Sequence, residues 1–255
     1  MRRVLVTGST TGLGRGAAEA LLHDGHAIVL HARNRQRAGD LGDLGERAAG
    51  LVIGDLESDR ETRALADQVN ELGPFDAVIH NAGIYLDRRR VETPDGHARV
   101  LAVNVLAPYL LTALVERPAR LIYLTSGMHR GGSASLDDID WTARRWDAVQ
   151  AYSDSKLFVT AIAFAVADRW PGVLSNAVNP GWVPTRMGGS GAPDDLVLGH
   201  VTQVWLATSD DPQATVSGEY WFHQRREPPA AAARDTAFQS ALLDELARLT
   251  GVPLP

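Results

Sequence analysis

A tyrosine and a lysine stand four residues apart in the stretch Ala151-Tyr152-Ser153-Asp154-Ser155-Lys156. The surrounding pattern is helical, and this spacing places Tyr152 and Lys156 one above the other on the same helix face. A phenol with a pKa of about 10 needs about 4 kcal/mol of preference for the phenolate to reach a pKa of about 7. A cation about 4 Å away supplies energy of that order at an effective dielectric of about 20. The pair is therefore a candidate acid and base, although a surface Tyr and Lys would show the same spacing.

Two further polar residues fall where they could join this pair. The run 120–125 predicts a buried strand, and Ser126 follows at its carboxyl end, where ligands bind in open α/β sheets. A helical pattern from 95 to about 116 contains Asn104, whose buried amide must be hydrogen-bonded locally or carry a water. Pro108 can kink that helix and free a backbone carbonyl near Asn104.

A glycine-rich turn near the start of the chain is typical of a phosphate-binding loop. The apolar run Val4-Leu5-Val6 predicts a strand, and a helical pattern follows over 17–22. Between them, glycines remove the Cβ atoms that would keep a pyrophosphate from the backbone amides, and the helix N-terminus is positive. A glycine-rich turn without a ligand would look alike. The loop residues that we expect to contact a dinucleotide are Gly8, Thr10, Thr11, Gly12, Leu13 and Gly14.

The end of the second predicted strand, 27–31, bears on the choice between NAD and NADP. In dinucleotide folds an acidic side chain here binds the ribose 2′-hydroxyl, whereas a cation accommodates a 2′-phosphate. This chain has Ala32 where an acid might stand, followed by Arg33 and Asn34. The sequence therefore favours NADP, with Arg33 as the main candidate for the 2′-phosphate. Arg35 is a weaker candidate, and either arginine could instead be a solvated charge at a helix start.

Two further strand ends complete the predicted cofactor site. Asp55 and Leu56 follow a strand at 51–53, where a carboxylate would edge the adenine, although Asp55 could equally be a helix N-cap. A fourth strand, 77–80, is followed by small residues that would let the backbone approach a cofactor. These residues are Asn81, Ala82 and Gly83.

The alternation of strand and helix patterns predicts an α/β fold. We expect one Rossmann-type domain over 1–255, with a doubly wound parallel sheet of about seven strands and helices on both faces. Residues 187–198 are glycine-rich and weakly apolar, which suggests a mobile substrate flap, with a passive loop as the alternative. The remaining predicted elements are a helix from 152 to about 170, a strand at 173–178, a last strand at 220–222 and a closing helix at 231–249.

Composition narrows the function classes. The formal charge is −6 and the only basic tract is Arg88-Arg89-Arg90, so we expect neither nucleic acid nor an anionic membrane as a partner. With no cysteine, a disulfide, a thiolate metal site and a thiol nucleophile are excluded, which fits a reducing cytoplasm. The carboxylates of 137–140 lack the glycine and terminal glutamate of a calcium loop, and we expect no metal. Because Met1-Arg2-Arg3 leads directly into a strand, we expect no signal peptide, and we expect a cytoplasmic protein.

Taken together, these motifs resemble the short-chain dehydrogenase/reductase family along essentially the whole chain. The resemblance rests on Thr7-Gly8-x-x-x-Gly12-x-Gly14, Asn81-Ala82-Gly83, Asn104, Ser126, Tyr152-x-x-x-Lys156 and Pro180-Gly181, in that order. The wide spacing from Ser126 to Tyr152 and the tail 217–251 look like the retinol dehydrogenase and protochlorophyllide reductase-like branch. One departure is His80, which stands where the family usually has Asn and which puts a supporting contact in doubt.

The resemblance implies roles for individual residues. Tyr152 would give a proton to a carbonyl, or take one from an alcohol, while Ser126 orients the substrate oxygen. Lys156 would hold the nicotinamide ribose and stabilise the phenolate, and Asn104 would anchor a water that relays protons to Lys156. Thr185 would contact the nicotinamide carboxamide. Pro180, Gly181 and Val183 would also line the cofactor site, together with Tyr152 and Lys156.

We therefore predict an oxidoreductase that transfers a hydride between NADP(H) and a small, apolar carbonyl or alcohol. NAD is the less favoured cofactor, and the chain could form a homo-oligomer. Pocket walls could include Trp141, Trp146, Trp182 and Met187, although large apolar residues commonly belong to the core. One alternative is a cofactor-sensing module without turnover, which would not need the complete set of Asn, Ser, Tyr and Lys. Another is a sugar-nucleotide epimerase or dehydratase, which usually carries a larger substrate domain.

Overall fold

The computed structural model describes residues 1–85 and 87–255, which fold around one sheet. Eight strands lie in the order β3-β2-β1-β4-β5-β6-β7-β8. The first seven run parallel, and β8 pairs antiparallel with β7. The strands are β1 (Arg3–Val6), β2 (Ala27–Ala32), β3 (Gly50–Ile53), β4 (Ala77–His80), β5 (Arg120–Leu124), β6 (Leu174–Asn179), β7 (Tyr220–Phe222) and β8 (Arg225–Arg226).

Helices connect the strands and cover both faces of the sheet. The α-helices are α1 (Gly12–His23), α2 (Arg35–Gly39), α3 (Asp43–Arg47), α4 (Asp59–Leu72), α5 (Arg99–Leu101), α6 (Ala107–Leu114), α7 (Ala148–Arg169), α8 (Leu198–Thr208) and α9 (Thr236–Thr250). A π-helix spans Ala102–Leu106, and 3₁₀-helices span Gly127–Gly131 and Ala231–Arg234. The predicted doubly wound parallel sheet is confirmed.

The two faces of the sheet pack against different helices because successive side chains of a strand point to opposite sides. Leu5 of β1 packs with α4, α6, α7 and α9 in one apolar cluster. Its neighbours Val4 and Val6 pack with α1 and α8 in the other cluster. The parallel strands are therefore buried on both faces, and their carboxyl ends meet at one edge of the sheet.

The helix predicted from 95 to 116 differs from the one observed. Residues before Arg99 form a turn, in which the Thr93 amide donates to the His97 carbonyl at 2.8 Å, and α6 ends at Leu114. The π-helix at Ala102–Leu106 lies between α5 and α6. Pro108 is the second residue after this segment, and its nitrogen has no proton to donate to the carbonyl four residues earlier. The sequence predicted a kink here but not the wider helical turn.

Smaller differences concern element ends and the eighth strand. β8 is two residues long and follows a tight turn in which His223 and Gln224 both have positive φ angles, 46° and 60°. That turn contains no glycine, so the usual hairpin signal is missing. The closing helix starts later than predicted, because Asp235 accepts hydrogen bonds from the amides of Ala237 and Phe238 and caps α9. Within residues 1–85 and 87–255, no helix combines the length and apolarity needed to cross a lipid bilayer.

Candidate active site

Helix α7 carries the tyrosine and the lysine into the protein interior. Asp147 caps its N-terminus by accepting from the amides of Val149 and Gln150. One turn later, Tyr152 and Lys156 are 6% and 5% exposed. The Lys156 Nζ lies 5.6 Å from the centre of the Tyr152 ring and donates to the Leu124 carbonyl at 3.0 Å. The predicted stacking of the two side chains on one helix face is therefore present, with the ammonium anchored to the end of β5.

Ser126 lies between β5 and a 3₁₀-helix, beside the phenol. Its Oγ accepts from the Met128 amide at 3.2 Å, so its own proton is free to be donated elsewhere. The Ser126 side chain acts on Tyr152 by lowering the pKa of the phenol. The Ser126 carbonyl accepts from the His129 Nδ1 at 2.8 Å, and the His129 Nε2 accepts from the Ala230 amide at 2.9 Å. The backbone of Ser126 is thereby fixed to the C-terminal part of the chain.

The pKa shifts of Tyr152 and Lys156 differ from those expected for a Tyr and a Lys that act only on each other. Burial raises the pKa of the Tyr152 phenol, and the hydrogen bond from Ser126 only partly opposes this. Burial also lowers the pKa of Lys156 to about 8. The expected fall of the tyrosine pKa towards neutrality is therefore not found, because desolvation outweighs the favourable contacts. Tyr152 is a protonated acid at neutral pH in this structure.

Asn104 lies in the π-helix and is 2% exposed. Its Oδ1 accepts from the Ile84 amide at 2.9 Å, and its Nδ2 donates to the Ile84 carbonyl at 3.1 Å. The Nδ2 also donates to the Ser155 Oγ at 3.0 Å. The local hydrogen bonding that the sequence predicted as one of two interpretations is therefore present. A Cβ on Gly83 would lie 3.3 Å from the Asn104 Oδ1 and 3.5 Å from the Lys156 Nζ, so these three residues meet.

The glycine-rich loop is braced by the end of β4. Thr7 accepts through its carbonyl from the Asn81 Nδ2 at 2.9 Å, and its Oγ1 accepts from the amides of Asn81 and Ala82, both at 3.0 Å. A Cβ on Gly14 would lie 2.4 Å from the Asn81 Nδ2, so no larger residue fits there. Gly8 has a φ angle of 65°, which also favours glycine. The small residues thus allow close packing of two loops as well as access to the backbone.

The start of α1 is open to an anion. Thr11 is its N-cap residue, and within the part of the chain that the structure describes its side chain makes no capping hydrogen bond to the first amides of the helix. Thr185 from the segment after β6 reaches this point, since a Cβ on Gly12 would lie 3.5 Å from the Thr185 Cγ2. The first turn of α1 and the segment around Thr185 are therefore neighbours, as the sequence predicted for two parts of one cofactor site.

At the ends of β2 and β3 the predicted arginine has acidic neighbours. Arg33 is 55% exposed at its side chain and lies 3.8 Å from Asp55 and 3.7 Å from Glu57. Asp55 is not the N-cap of α4, because Ser58 holds that position. Asn34 accepts from the Arg37 amide at 2.9 Å and caps α2. Leu56 is 6% exposed and belongs to the apolar core, so its side chain faces inwards.

One basic residue of this corner was missed. Arg37 lies on α2, and its Nη2 is 3.5 Å from the Oγ1 of Thr10 in the glycine-rich loop. Its Nη1 pairs with Asp40 at 2.6 Å. The available signal was the cap at Asn34, which starts a helix and turns the third following residue back towards the loop.

The segment after β6 forms the outer edge of the site. Pro180 and Gly181 follow the strand, and the Gly181 amide donates to the Asn179 Oδ1 at 3.1 Å. Val183 is buried, and its carbonyl accepts from the Thr185 amide at 2.8 Å. They follow the carboxyl end of β6, which pairs with β5, the strand that precedes Ser126.

The expected pocket walls divide into two sets. Trp141 is 5% exposed and packs edge-on against Trp146 with ring centres 5.5 Å apart, so this pair belongs to the core. Trp182 and Met187 are 60% and 45% exposed near the site. Tyr85, which the sequence reasoning did not select, stands edge-on to Tyr152 with ring centres 4.6 Å apart.

Comparison with known proteins identifies the family. A family model described as short chain dehydrogenase matches residues 2–195. The chain belongs to the short-chain dehydrogenase family. The short-chain dehydrogenase chyC of Penicillium rubens is 40% identical over 261 residues, covering 100% of both chains. A daunorubicin C-13 ketoreductase, DnrU, from a Streptomyces species is 33% identical and covers 98% of this chain and 93% of its own. Human retinol dehydrogenase 13 is 28% identical, covering 100% of this chain and 86% of that protein, which confirms the predicted resemblance to that branch.

Solved structures show the same fold. An uncharacterized protein from Mycobacterium paratuberculosis superposes with a TM-score of 0.84 at 24% identity, covering 100% of this chain and 95% of the other. A short chain dehydrogenase from Shigella flexneri, complexed with NADP, has a TM-score of 0.67 at 22% identity over 88% and 97% of the two chains. The family and the fold predicted from the motifs are thus confirmed.

Proposed function

We propose that this protein interconverts a ketone or aldehyde and the corresponding alcohol with NADP(H), and that the reduction is favoured at neutral pH. The observation that carries the proposal is the pair formed by the buried Tyr152 and the partly buried Ser126. The serine hydroxyl has a proton to donate, and burial keeps the phenol protonated because it raises the pKa of Tyr152. A carbonyl oxygen that lies between the two hydroxyls would receive a hydrogen bond from one and a proton from the other.

The residues present fit a dinucleotide. The uncapped start of α1 offers free amides to a pyrophosphate. Glycine at positions 8 and 14 lets the loop that precedes these amides pack closely against Asn81 and Ala82. We assign the cofactor site to Gly8, Thr10, Thr11, Gly12, Leu13, Gly14, Arg33, Asn34, Asp55, Leu56, Asn81, Ala82, Gly83, Tyr152, Lys156, Pro180, Gly181, Val183 and Thr185. When bound, the nicotinamide supplies or accepts the hydride.

The preference for NADP rests on two arginines. Arg33 lies at the end of β2, and Arg37 reaches the glycine-rich loop at Thr10. Both arginines have acidic neighbours, which are Asp55 and Glu57 at Arg33 and Asp40 at Arg37. These carboxylates weaken the attraction of each arginine for a phosphate, so we propose that the two positive charges act together. The NADP in the Shigella structure is in line with this proposal.

The protein's part in the reaction is proton delivery and orientation. Reduction adds a hydride to the carbonyl carbon and a proton to its oxygen, and the Tyr152 Oη gives that proton. Ser126 donates a hydrogen bond to the same oxygen and keeps it within reach. Lys156 stabilises the phenolate that remains, since its ammonium lies one helical turn from the phenol. Asn104, which adjoins Lys156 across Gly83, holds the path by which a proton returns from solvent.

We further propose that the chain forms a single domain, that the substrate is a small apolar molecule, and that residues 187–198 form a flap over it. Large apolar side chains are exposed around this segment, which a soluble surface seldom tolerates without a function. They are Trp182, Met187, Leu196, Val197 and Leu198. Tyr85 adds an aromatic ring beside Tyr152. The name of the relative DnrU, a C-13 ketoreductase, supports a ketone.

The test is deuteride transfer from labelled NADPH to a panel of apolar ketones, aldehydes and quinones. We expect one substrate class to yield an alcohol that carries deuterium on the former carbonyl carbon, and Ser126→Ala to slow that reaction. If NADPH binds but no compound of the panel is reduced, the result would contradict an enzymatic function and would support a cofactor sensor.

A further inference from the structure

A buried histidine joins two loops of the proposed cofactor site. His31 is the fifth residue of β2 and is 3% exposed. Its Nδ1 accepts from the Gly8 amide at 2.9 Å, and its Nε2 lies 2.9 Å from the Gly54 carbonyl. An amide can only donate and a carbonyl can only accept, so the ring carries its proton on Nε2. Burial lowers the pKa of His31, which keeps the ring neutral and preserves this arrangement.

The main chain of the same residue holds the glycine-rich loop a second time. The His31 amide donates to the Ser9 Oγ at 2.8 Å. The His31 carbonyl accepts from the Ser9 amide at 3.2 Å. Gly8 and Ser9 are therefore both fixed to one residue of β2, on the side opposite to their contacts with Ala82 after β4. The position of the loop between the two strands depends on these contacts.

The other end of the ring reaches the loop after β3. Gly54 directly precedes Asp55 and Leu56, and its amide donates to the Ala32 carbonyl at 3.2 Å. The imidazole thus spans the distance between the loop that we assign to the pyrophosphate and the loop that we assign to the adenine. Removal of the ring acceptor would leave the part-buried amide of Gly8 without its protein partner, which costs free energy.

We propose that His31 is a positioning residue for the cofactor, one that sets the place of the glycine-rich loop through the Gly8 amide. This inference rests on the proposed NADP(H) site and deepens it. His31 does not touch the cofactor's hydride-carrying ring. Its effect is on the affinity for the pyrophosphate part of the molecule.

Two variants test the hydrogen bonds of the two ring nitrogens of His31 separately. The Oδ1 of Asn reaches about as far as Nδ1, so His31→Asn keeps an acceptor for the Gly8 amide and loses the contact with Gly54. The longer amide of Gln reaches about as far as Nε2, so His31→Gln keeps the contact with Gly54 and loses the acceptor for Gly8. The probes are NADPH and adenosine 2′-monophosphate, which has the adenine end and lacks the pyrophosphate.

We expect His31→Gln to raise the Kd for NADPH about tenfold, the factor for losing one hydrogen bond to a backbone amide. His31→Asn should change that Kd less than His31→Gln does. Neither variant should change the Kd for adenosine 2′-monophosphate by more than about twofold, a difference of under about 0.5 kcal/mol. Near-ultraviolet circular dichroism checks that the tertiary structure is intact.

An unchanged Kd for NADPH in folded His31→Gln would overturn the proposal. So would equal losses for both probes, which indicate general damage to the fold. If both variants fail to fold, nitrogen chemical shifts of the wild-type ring decide, because a proton on Nδ1 contradicts the acceptor role. Wild-type protein that binds neither probe would instead refute the proposed function itself.

Discussion

The Nζ of Lys156 donates a hydrogen bond of 3.0 Å to the carbonyl of Leu124, two residues before Ser126. The contact ties helix α7 to the end of β5, the two elements that carry the proposed proton donor and the orienting hydroxyl. Thr125 reinforces it, since its Oγ1 donates to the Lys156 carbonyl at 3.0 Å. The lysine therefore has a structural function in addition to its charge.

The charge of Lys156 predicts a pH dependence. Burial lowers the pKa of Lys156 to about 8, so the ammonium is present below this pH and is lost above it. We expect kcat/KM for reduction with NADPH to fall as the pH rises through about 8. Tyr152 does not cause this fall in kcat/KM, because burial raises the pKa of its phenol. In Lys156→Arg the side chain stays charged, so the residual kcat/KM should not fall as the pH rises through about 8. A pH profile of the same shape as that of the wild-type protein would contradict the assignment.

The choice of cofactor depends on Arg33 and Arg37. We expect Ala at either position to raise the Kd for NADPH about tenfold while the Kd for NADH changes little, because only NADPH carries the 2′-phosphate. Arg35→Ala is the matched control, since Arg35 is exposed at the start of the same helix. Equal weakening of both cofactors by Arg33→Ala would show that this residue does not read the phosphate.

Asn104 should contribute to stability as well as to proton transfer. Asn104→Ala leaves the amide and carbonyl of Ile84 without their partner, at a cost of about 1–3 kcal/mol in the free energy of unfolding. Ser155→Ala removes one acceptor of the Nδ2 and a hydroxyl that donates to the Tyr152 carbonyl, but it leaves no backbone amide without a partner, so it should cost less. Urea denaturation measures both values, and a larger loss in Ser155→Ala would be inconsistent with this description of the contacts.

Acid sensitivity should arise in part from His80. Burial lowers the pKa of His80 to about 3, whereas an exposed histidine has a pKa of about 6.5. Between these values the unfolded chain takes up a proton that the folded chain does not, so the free energy of unfolding falls as the pH falls. We expect His80→Asn to weaken this dependence by an amount on the order of 4 kcal/mol across the window. Parallel pH profiles for the two proteins, measured by urea denaturation, would contradict the expectation.

The motifs predicted the family and the fold because they depend on local chemistry. Strand β1 follows from the run Val4-Leu5-Val6, and the turn after it follows from glycine spacing. Features that depend on partners distant in the chain were not predictable. Arg37 is placed by the cap at Asn34 and by its contact with Thr10, and Asn104 of the π-helix bonds to Ile84 and Ser155, which lie 20 and 51 residues away in the chain.

The protonation states of the site could not be predicted from the sequence either. The spacing of Tyr152 and Lys156 predicted their shared helix face, but it did not reveal how completely both side chains are buried. Desolvation is a property of all surrounding elements, and it reverses the expected direction of the tyrosine pKa. The tautomers of His31 and His129 likewise follow from the backbone amides of Gly8 and Ala230, which lie more than twenty residues away in the chain.

The most direct test of the account is the kcat of Tyr152→Phe with NADPH and a carbonyl substrate found in the panel. Phe keeps the ring beside Tyr85 and removes only the hydroxyl that donates the proton. We predict that turnover falls by at least about a hundredfold, the lower bound for loss of a general acid, while the Kd for NADPH stays within about twofold. Turnover at the wild-type rate, with NADPH bound normally, would remove Tyr152 from the reaction and contradict the account.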